Sequence, residues 1–306
     1  MTVQVLSLES YFNITTKNSF VSDLRRSLTE TGFVRIQDHG LEKNDLNRAY
    51  ATTKQLFDLP NEAKARYKLK QLGLRGYTDF GQEKAKGQQS GDLKEFWHIG
   101  KSLSRESPYF ERYAKNIWPE ELPEFEPLYT QLFTQLENIA LTLLKAIGEA
   151  FDVDASYFPD LVKDGNSVLR LIHYPATRDF DTTKQMRAAP HADINLMTLL
   201  VGATDSGLQL LDKRGNWLDV ETNPHEIVVD TGDMMERVTG GILPSTVHRV
   251  INPNKDNRER YSMPFFLHPH SDAVLEPRHE FASDSTQTPI TAGEFLDQRL
   301  TENGLK

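Results

Sequence analysis

The chain of 306 residues contains no cysteine. That removes disulfides, thiolate metal ligands and cysteine nucleophiles together, and it suits a reducing cytoplasm, the expected compartment. Nor is there an apolar run approaching the roughly eighteen residues of a membrane span. The stretch from Met1 to Glu9 lacks the basic segment and apolar core of a secretory signal, so none is expected. Positive charge is in the minority: 35 Lys and Arg stand against 44 Asp and Glu, a formal net charge of −9. A negative chain repels phosphate backbones, which argues against a nucleic-acid partner. With 38% hydrophobic and 26% charged residues, the composition is that of an ordinary globular protein. A small molecule is the expected partner.

Local patterns divide the chain into a helix-rich part, 1–165, and a β-rich part, 166–306. In the first, residues 3–8 and Phe33-Val34-Arg35-Ile36 read as strands. Phe20, Leu24 and Leu28 recur at helical spacing before Gly32 as a stop. Helices are expected near 42–57 and 60–69. The longest, over 124–151, carries Leu128, Leu132, Leu136, Ile139, Leu143 and Ile147 on one stripe. A short helix is expected at 155–161. Residues 71–92, rich in Gly, Gln and Lys, read as a long ordered loop or a pair of irregular strands, of the kind that covers a site. In the second part, short β-like runs at 167–174, 196–201, 207–211, 217–220, 226–229, 246–251 and 259–267 are punctuated by Gly, Pro, Asn and Asp. A final helix follows at 291–302. Regularly spaced short strands suggest a barrel or jelly roll. A single domain, with the helices buttressing the barrel, is the preferred organisation.

Chemistry concentrates at Ala188-Ala189-Pro190-His191-Ala192-Asp193-Ile194-Asn195. In an extended segment His191 and Asp193 project to one face. With a second imidazole they make a two-His, one-carboxylate triad, which holds non-haem Fe(II) and leaves open positions. The spacing alone is weak, because His270-Ser271-Asp272 repeats it; that copy reads as surface. His248, in a later β-like run, is the candidate for the third ligand. Arg260 and Ser262 then share a strand face with Phe266. A permanent guanidinium grips a carboxylate bidentately, and a neighbouring hydroxyl donates to the same group. Beside an Fe(II) site, this is what a dicarboxylate co-substrate requires.

Taken in order, Gly32-Phe33-Val34-Arg35-Ile36 with His39-Gly40, His173-Tyr174-Pro175, the His191/Asp193 motif, Gly207-Leu208-Gln209-Leu210, Asp230-Thr231-Gly232-Asp233, Ser245-Thr246-Val247-His248-Arg249-Val250 and Arg260-Tyr261-Ser262 resemble the isopenicillin N synthase-like family of Fe(II)/2-oxoglutarate-dependent dioxygenases. The resemblance implies a mainly β fold with supporting helices and a distorted double-stranded β-helix, or cupin-like jelly-roll, core. It implies His191, Asp193 and His248 as iron ligands, Arg260 and Ser262 on the distal carboxylate of 2-oxoglutarate, and Tyr174 as a further co-substrate contact. Ile172 stands where plant members often carry Asn, so one contact of that kind is missing. His173 should point away from the site. The activity implied is decarboxylation of 2-oxoglutarate to succinate and CO₂ with O₂, coupled to oxidation of a small molecule, most often hydroxylation. Two other readings are relatives that keep Arg and Ser but do not use 2-oxoglutarate, and a non-catalytic binding module on the same scaffold. Candidate substrate contacts are Phe266, Leu210, Arg187 just before the motif, Arg75 and Tyr77 in the 71–92 segment, and Asn195, which shares the alternation face of the ligands and is expected to support a ligand, contact substrate or serve as a turn residue.

Overall fold

A computed structural model of the chain describes residues 3–69, 75–83, 91–176, 186–221, 223–252, 258–281 and 288–302. The first part opens with Val5–Ser7 (β1), Glu9–Phe12 (α1), Lys17–Thr31 (α2) and Phe33–Gln37 (β2). Helix α2 stops where expected. Gly32 takes φ +70° and donates its N–H to the Leu28 carbonyl at 2.8 Å. A Cβ there would lie 2.6 Å from the Pro244 carbonyl oxygen, so both the left-handed turn and the close approach select glycine. Lys43–Phe57 (α3) and Asn61–Ala65 (α4) follow, the latter shorter than the 60–69 pattern suggests. Within the 71–92 segment only Gly76–Thr78 (β3) is regular among the described residues; 70–74 and 84–90 lie outside them.

Glu95–Gly100 (β4) was not apparent in the sequence, because every one of its residues is buried and no polar–apolar alternation marks it. Phe125–Ala150 (α5) buries its predicted stripe. Each Leu or Ile removed from water there contributes roughly 1.5–3 kcal/mol. Tyr157–Val162 (α6) then leads into the β-rich part. Its strands are Val168–Tyr174 (β5), Ala188–His191 (β6), Met197–Val201 (β7), Leu208–Leu211 (β8), Trp217–Asp219 (β9) and Ile227–Thr231 (β10). Asp233–Val238 (α7), His248–Val250 (β11), Arg260–Leu267 (β12), Val274–Leu275 (β13), Ile290–Thr291 (β14) and Ala292–Glu302 (α8) complete the chain.

Two sheets form the jelly roll. The larger runs β1-β2-β10-β7-β12-β5-β4-β3 and the smaller β6-β11-β8-β9. Only β1 and β2 pair in parallel; the other pairs of both sheets are antiparallel. Strand β12 shows how the layers are sorted. Tyr261, Met263, Phe265 and Leu267 belong to the main hydrophobic core with α5, where Phe133 meets Phe265 edge-on at 4.9 Å. Arg260, Ser262, Pro264 and Phe266 turn the other way, into a cavity between the two sheets. The period of two thus puts apolar residues under the helices and the chemistry between the sheets. That main core draws on residues from Leu6 to Ala292.

Candidate metal centre

Strands β6 and β11 are neighbours in the small sheet, and their register sets His191 opposite His248. The two rings lie 4.5 Å apart. Asp193 follows just past the end of β6. Its Oδ1 stands 3.7 Å from His191 Nε2 and 3.8 Å from His248 Nε2. One ligand atom from each of the three falls within 4.8 Å of the others, the one such cluster among the described residues. Both rings are fixed from behind. His191 Nδ1 lies 2.8 Å from the Ala189 carbonyl and His248 Nδ1 3.2 Å from the Thr246 carbonyl. A carbonyl only accepts, so each Nδ1 carries the proton and each Nε2 turns its lone pair to the centre, the tautomer a metal ligand needs. Burial and the adjacent His248 hold His191 neutral, pulling its pKa down to about 4.

Asp193 is prepared differently. Burial favours its neutral form, but the two imidazoles and the Thr198 hydroxyl outweigh that and keep its pKa below the usual carboxylate value. Thr198 donates to Asp193 Oδ2, while Asn195 Nδ2 donates to Thr198 Oγ1 at 3.1 Å and to the Met197 carbonyl at 2.8 Å. Nearby Asp230, buried in the cavity wall, is pushed strongly upward by burial and by Asp193. Gly232 lets the turn after β10 press against this segment: a Cβ there would lie 2.3 Å from the Asn195 carbonyl and 2.8 Å from that of Asp193.

The cavity between the sheets is lined by His191, Asp193 and His248 together with Arg260, Ser262 and Phe266. At one end Arg260, 1% exposed, sits across from Tyr174, its guanidinium 5.0 Å from the ring. Its Nε donates to the Asp205 carbonyl at 3.2 Å, but its buried Nη1 has no partner among the described residues. A buried donor left unpaired costs on the order of 1–3 kcal/mol, so this end of the cavity is built for an anion. Ser262 lies beside it, two residues along the strand. Arg260, Ser262 and Tyr174 thus line the same cavity as the His–Asp–His cluster, and their donor set fits a carboxylate.

The other expectations fare unevenly. Phe266 lines the cavity. Asn195 does not: β6 ends at His191, the alternation lapses, and the buried amide braces Thr198 instead. Leu210 pairs with His248 but packs into a small cluster with Phe33 and Val220, and Leu208, two residues earlier, lines the cavity in its place. Arg187 is fully buried, its Nη1 3.3 Å from Asp205 and its Nη2 on the Arg258 carbonyl. Arg75 bonds Asn166 and lies against Gly100, while Tyr77 donates to Glu95 and borders a different, open groove. None of these last three lines the cavity; each is held elsewhere by the partners just named. His173 points away, as expected, to Glu95 and the Tyr261 ring. In the decoy motif, Asp272 is paired bidentately with Arg112, and His270 Nδ1 lies 2.8 Å from the Tyr109 hydroxyl.

The sequence reading missed four polar cavity residues: Lys94, Arg170, Thr198 and Asp230. Arg170 was within reach of period-two counting, since it shares a face of β5 with Tyr174.

Residues 3–121 match the family described as non-haem dioxygenase in morphine synthesis, N-terminal, and residues 165–269 match the 2OG-Fe(II) oxygenase superfamily. Over 271 residues the chain is 32% identical to the 2-oxoglutarate-Fe(II) type oxidoreductase hxnY of Emericella nidulans, covering 85% of this chain and 77% of that one. A 2OG-Fe(II) oxygenase family protein from Caulobacter crescentus superposes with a TM-score of 0.89 at 39% identity, over 98% of both chains. A full-length Neurospora crassa protein, solved in complex with alpha-KG and thymine, gives 0.86 at 26% identity over 98% of this chain and 96% of that one. By sequence and by fold the chain belongs to the 2OG-Fe(II) oxygenase superfamily: it is a dioxygenase, and its cofactors are Fe(II) and 2-oxoglutarate.

Proposed function

We propose that His191, Asp193 and His248 hold the Fe(II), that Arg260 with Ser262 and Tyr174 takes the distal carboxylate of 2-oxoglutarate, and that the enzyme hydroxylates a small molecule admitted on the Phe266 side of the cavity. The observation that carries this reading is the pairing of three convergent ligand atoms with the unpartnered Arg260 Nη1 in one cavity. Bound there, Fe(II) and 2-oxoglutarate supply the oxidising power: the co-substrate and O₂ become succinate, CO₂ and one oxygen atom delivered to a C–H bond.

This chain's own groups do the rest. The backbone carbonyls of Ala189 and Thr246 fix the imidazole tautomers. Thr198 orients the carboxylate of Asp193. Arg260 fixes the direction in which the dicarboxylate lies, at one end of β12, leaving the Phe266 end of the strand for the substrate. Apolar walls at Ile172, Leu200, Leu208 and Phe266 exclude water from the reacting C–H bond. Thymine in the Neurospora crassa structure supports a substrate of ring size. A cytoplasmic setting and action as one domain over 1–306 belong to the same proposal. Oxygen uptake and succinate release that both require Fe(II) and 2-oxoglutarate and rise with substrate are expected. Substrate-dependent oxygen uptake without 2-oxoglutarate would contradict the co-substrate role of Arg260.

A further inference from the structure

The cavity contains more positive charge than one dicarboxylate can use. Arg260 sits at one end of β12, stacked on Tyr174. A second guanidinium, Arg170, occupies the other end, its Cζ 4.3 Å from the Phe96 ring and 5.1 Å from the Phe266 ring. Arg170 and Tyr174 are four residues apart on β5, about 13 Å along an extended strand. The four C–C bonds of 2-oxoglutarate have a contour of only about 6 Å. With one end on Arg260 and the other at the metal cluster, the co-substrate leaves Arg170 unused. Yet Arg170 is near the chemistry: Phe266 is registered with Thr198, which holds Asp193.

Arg170 is held in place while part of it stays free. Its Nε donates to His98 Nε2 at 2.5 Å and its Nη1 to Glu83 Oε1 at 3.0 Å. A guanidinium has five N–H donors, and Nη2 has no hydrogen-bond partner among the described residues. Lys94 stands beside it, bonded to the same Glu83 oxygen at 2.7 Å and to Asp92 Oδ2 at 2.9 Å. Two of the three ammonium donors are thereby used. The arrangement has a direction. Lys94 and Arg170 line the cavity, whereas Glu83 and Asp92 do not. The carboxylates stand behind, pairing with the cations in a buried setting, and the cationic ends face inward. Asp92 also ties this group to the metal segment, accepting the Ala189 N–H at 3.2 Å.

We propose that Arg170, backed by Lys94, is the anchor for an anionic group, a carboxylate, on the primary substrate. The substrate class is then a small organic acid whose apolar body lies on Phe266 and Ile172 and whose C–H bond is thereby presented to the metal cluster. This rests on the proposed function above and adds its substrate class.

The test is a matched screen of the Fe(II)-loaded enzyme with small ring-containing carboxylic acids and their primary amides, scored by stimulated succinate release and by anaerobic calorimetric binding. Acids should bind and stimulate; amides should not. For the best acid, Arg170→Gln and Lys94→Gln should each raise KM at least tenfold. The dissociation constant of 2-oxoglutarate, read from its anaerobic charge-transfer band, should move less than threefold. Amides performing as well as acids, no acid binding at all, or an unchanged KM in Arg170→Gln would overturn the assignment. So would equal weakening of 2-oxoglutarate, which would give these cations to the co-substrate instead. Failure to form the charge-transfer band in the wild type would instead refute the proposed function.

Discussion

Thr198 touches no proposed ligand of the metal except through Asp193, which makes it a sharp probe of how the centre is built. In Thr198→Val the side chain keeps its shape and loses its hydroxyl. Asp193 Oδ2 then has no donor, while Asn195 Nδ2 keeps the Met197 carbonyl at 2.8 Å. A hydrogen bond to a charged group is worth about 1.5–3 kcal/mol. Part of that loss falls on the free protein, where Asp193 is buried in either state. The remainder falls on metal binding, because the carboxylate is no longer aimed. Loss of such supporting bonds costs roughly 10–100-fold in metal affinity, which is about 1.4–2.7 kcal/mol and lies within the hydrogen-bond figure. Anaerobic competition for Fe(II) against a chromophoric chelator should therefore show a 10–100-fold weaker variant. Thr198→Ser, which restores the donor, should fall within threefold of wild type. A folded Thr198→Val protein that binds Fe(II) within threefold of wild type would refute this role.

Other expectations follow from the same geometry. Arg260→Met should raise the dissociation constant of 2-oxoglutarate about 30–1,000-fold, for a loss of about 2–4 kcal/mol, whereas Ser262→Ala should cost about 2–13-fold; anaerobic titration checks both, and equal effects would contradict the ordering. Gly232→Ala changes no ligand, yet its Cβ would press on the carbonyls of Asn195 and Asp193. It should lower thermal stability by about 1–3 kcal/mol and weaken Fe(II) binding in the same chelator assay. His268, whose pKa burial lowers to about 4, stays neutral in the folded chain while its unfolded form protonates near 6.5. More protons are bound by the unfolded state between those values, so stability should fall as pH drops from 6.5 towards 4; thermal unfolding of His268→Gln should show a shallower fall.

The parts of this molecule that could be read from sequence are those where one period governs a run. The α5 stripe, the α2 stop at Gly32 and the two faces of β12 follow from a repeat of 3.6 or 2. The metal cluster was legible for another reason: His191, Asp193 and His248 gained weight from order along the chain, ending in Arg260 and Ser262. Where two faces are buried, as in β4, periodicity carries no signal. Where a strand ends, alternation misleads. Asn195, placed on the ligand face by counting past His191, the last residue of β6, takes the supporting role among those expected of it, as a brace behind Thr198. Arg187, Arg75 and Tyr77 were chosen for chemistry without knowledge of their partners, and their partners hold them elsewhere. Lys94 and Arg170 were missed because their meaning depends on Glu83 and Asp92, distant from Arg170 in sequence and adjacent in the fold.

The most direct test is anaerobic addition of 2-oxoglutarate to the Fe(II)-loaded chain, followed in the visible spectrum. A metal-to-ligand charge-transfer band should grow to one equivalent in the wild type and be absent in His191→Ala and His248→Ala. A wild type with no band and no conversion of 2-oxoglutarate to succinate, or a band undiminished in both variants, would contradict the His191–Asp193–His248 centre.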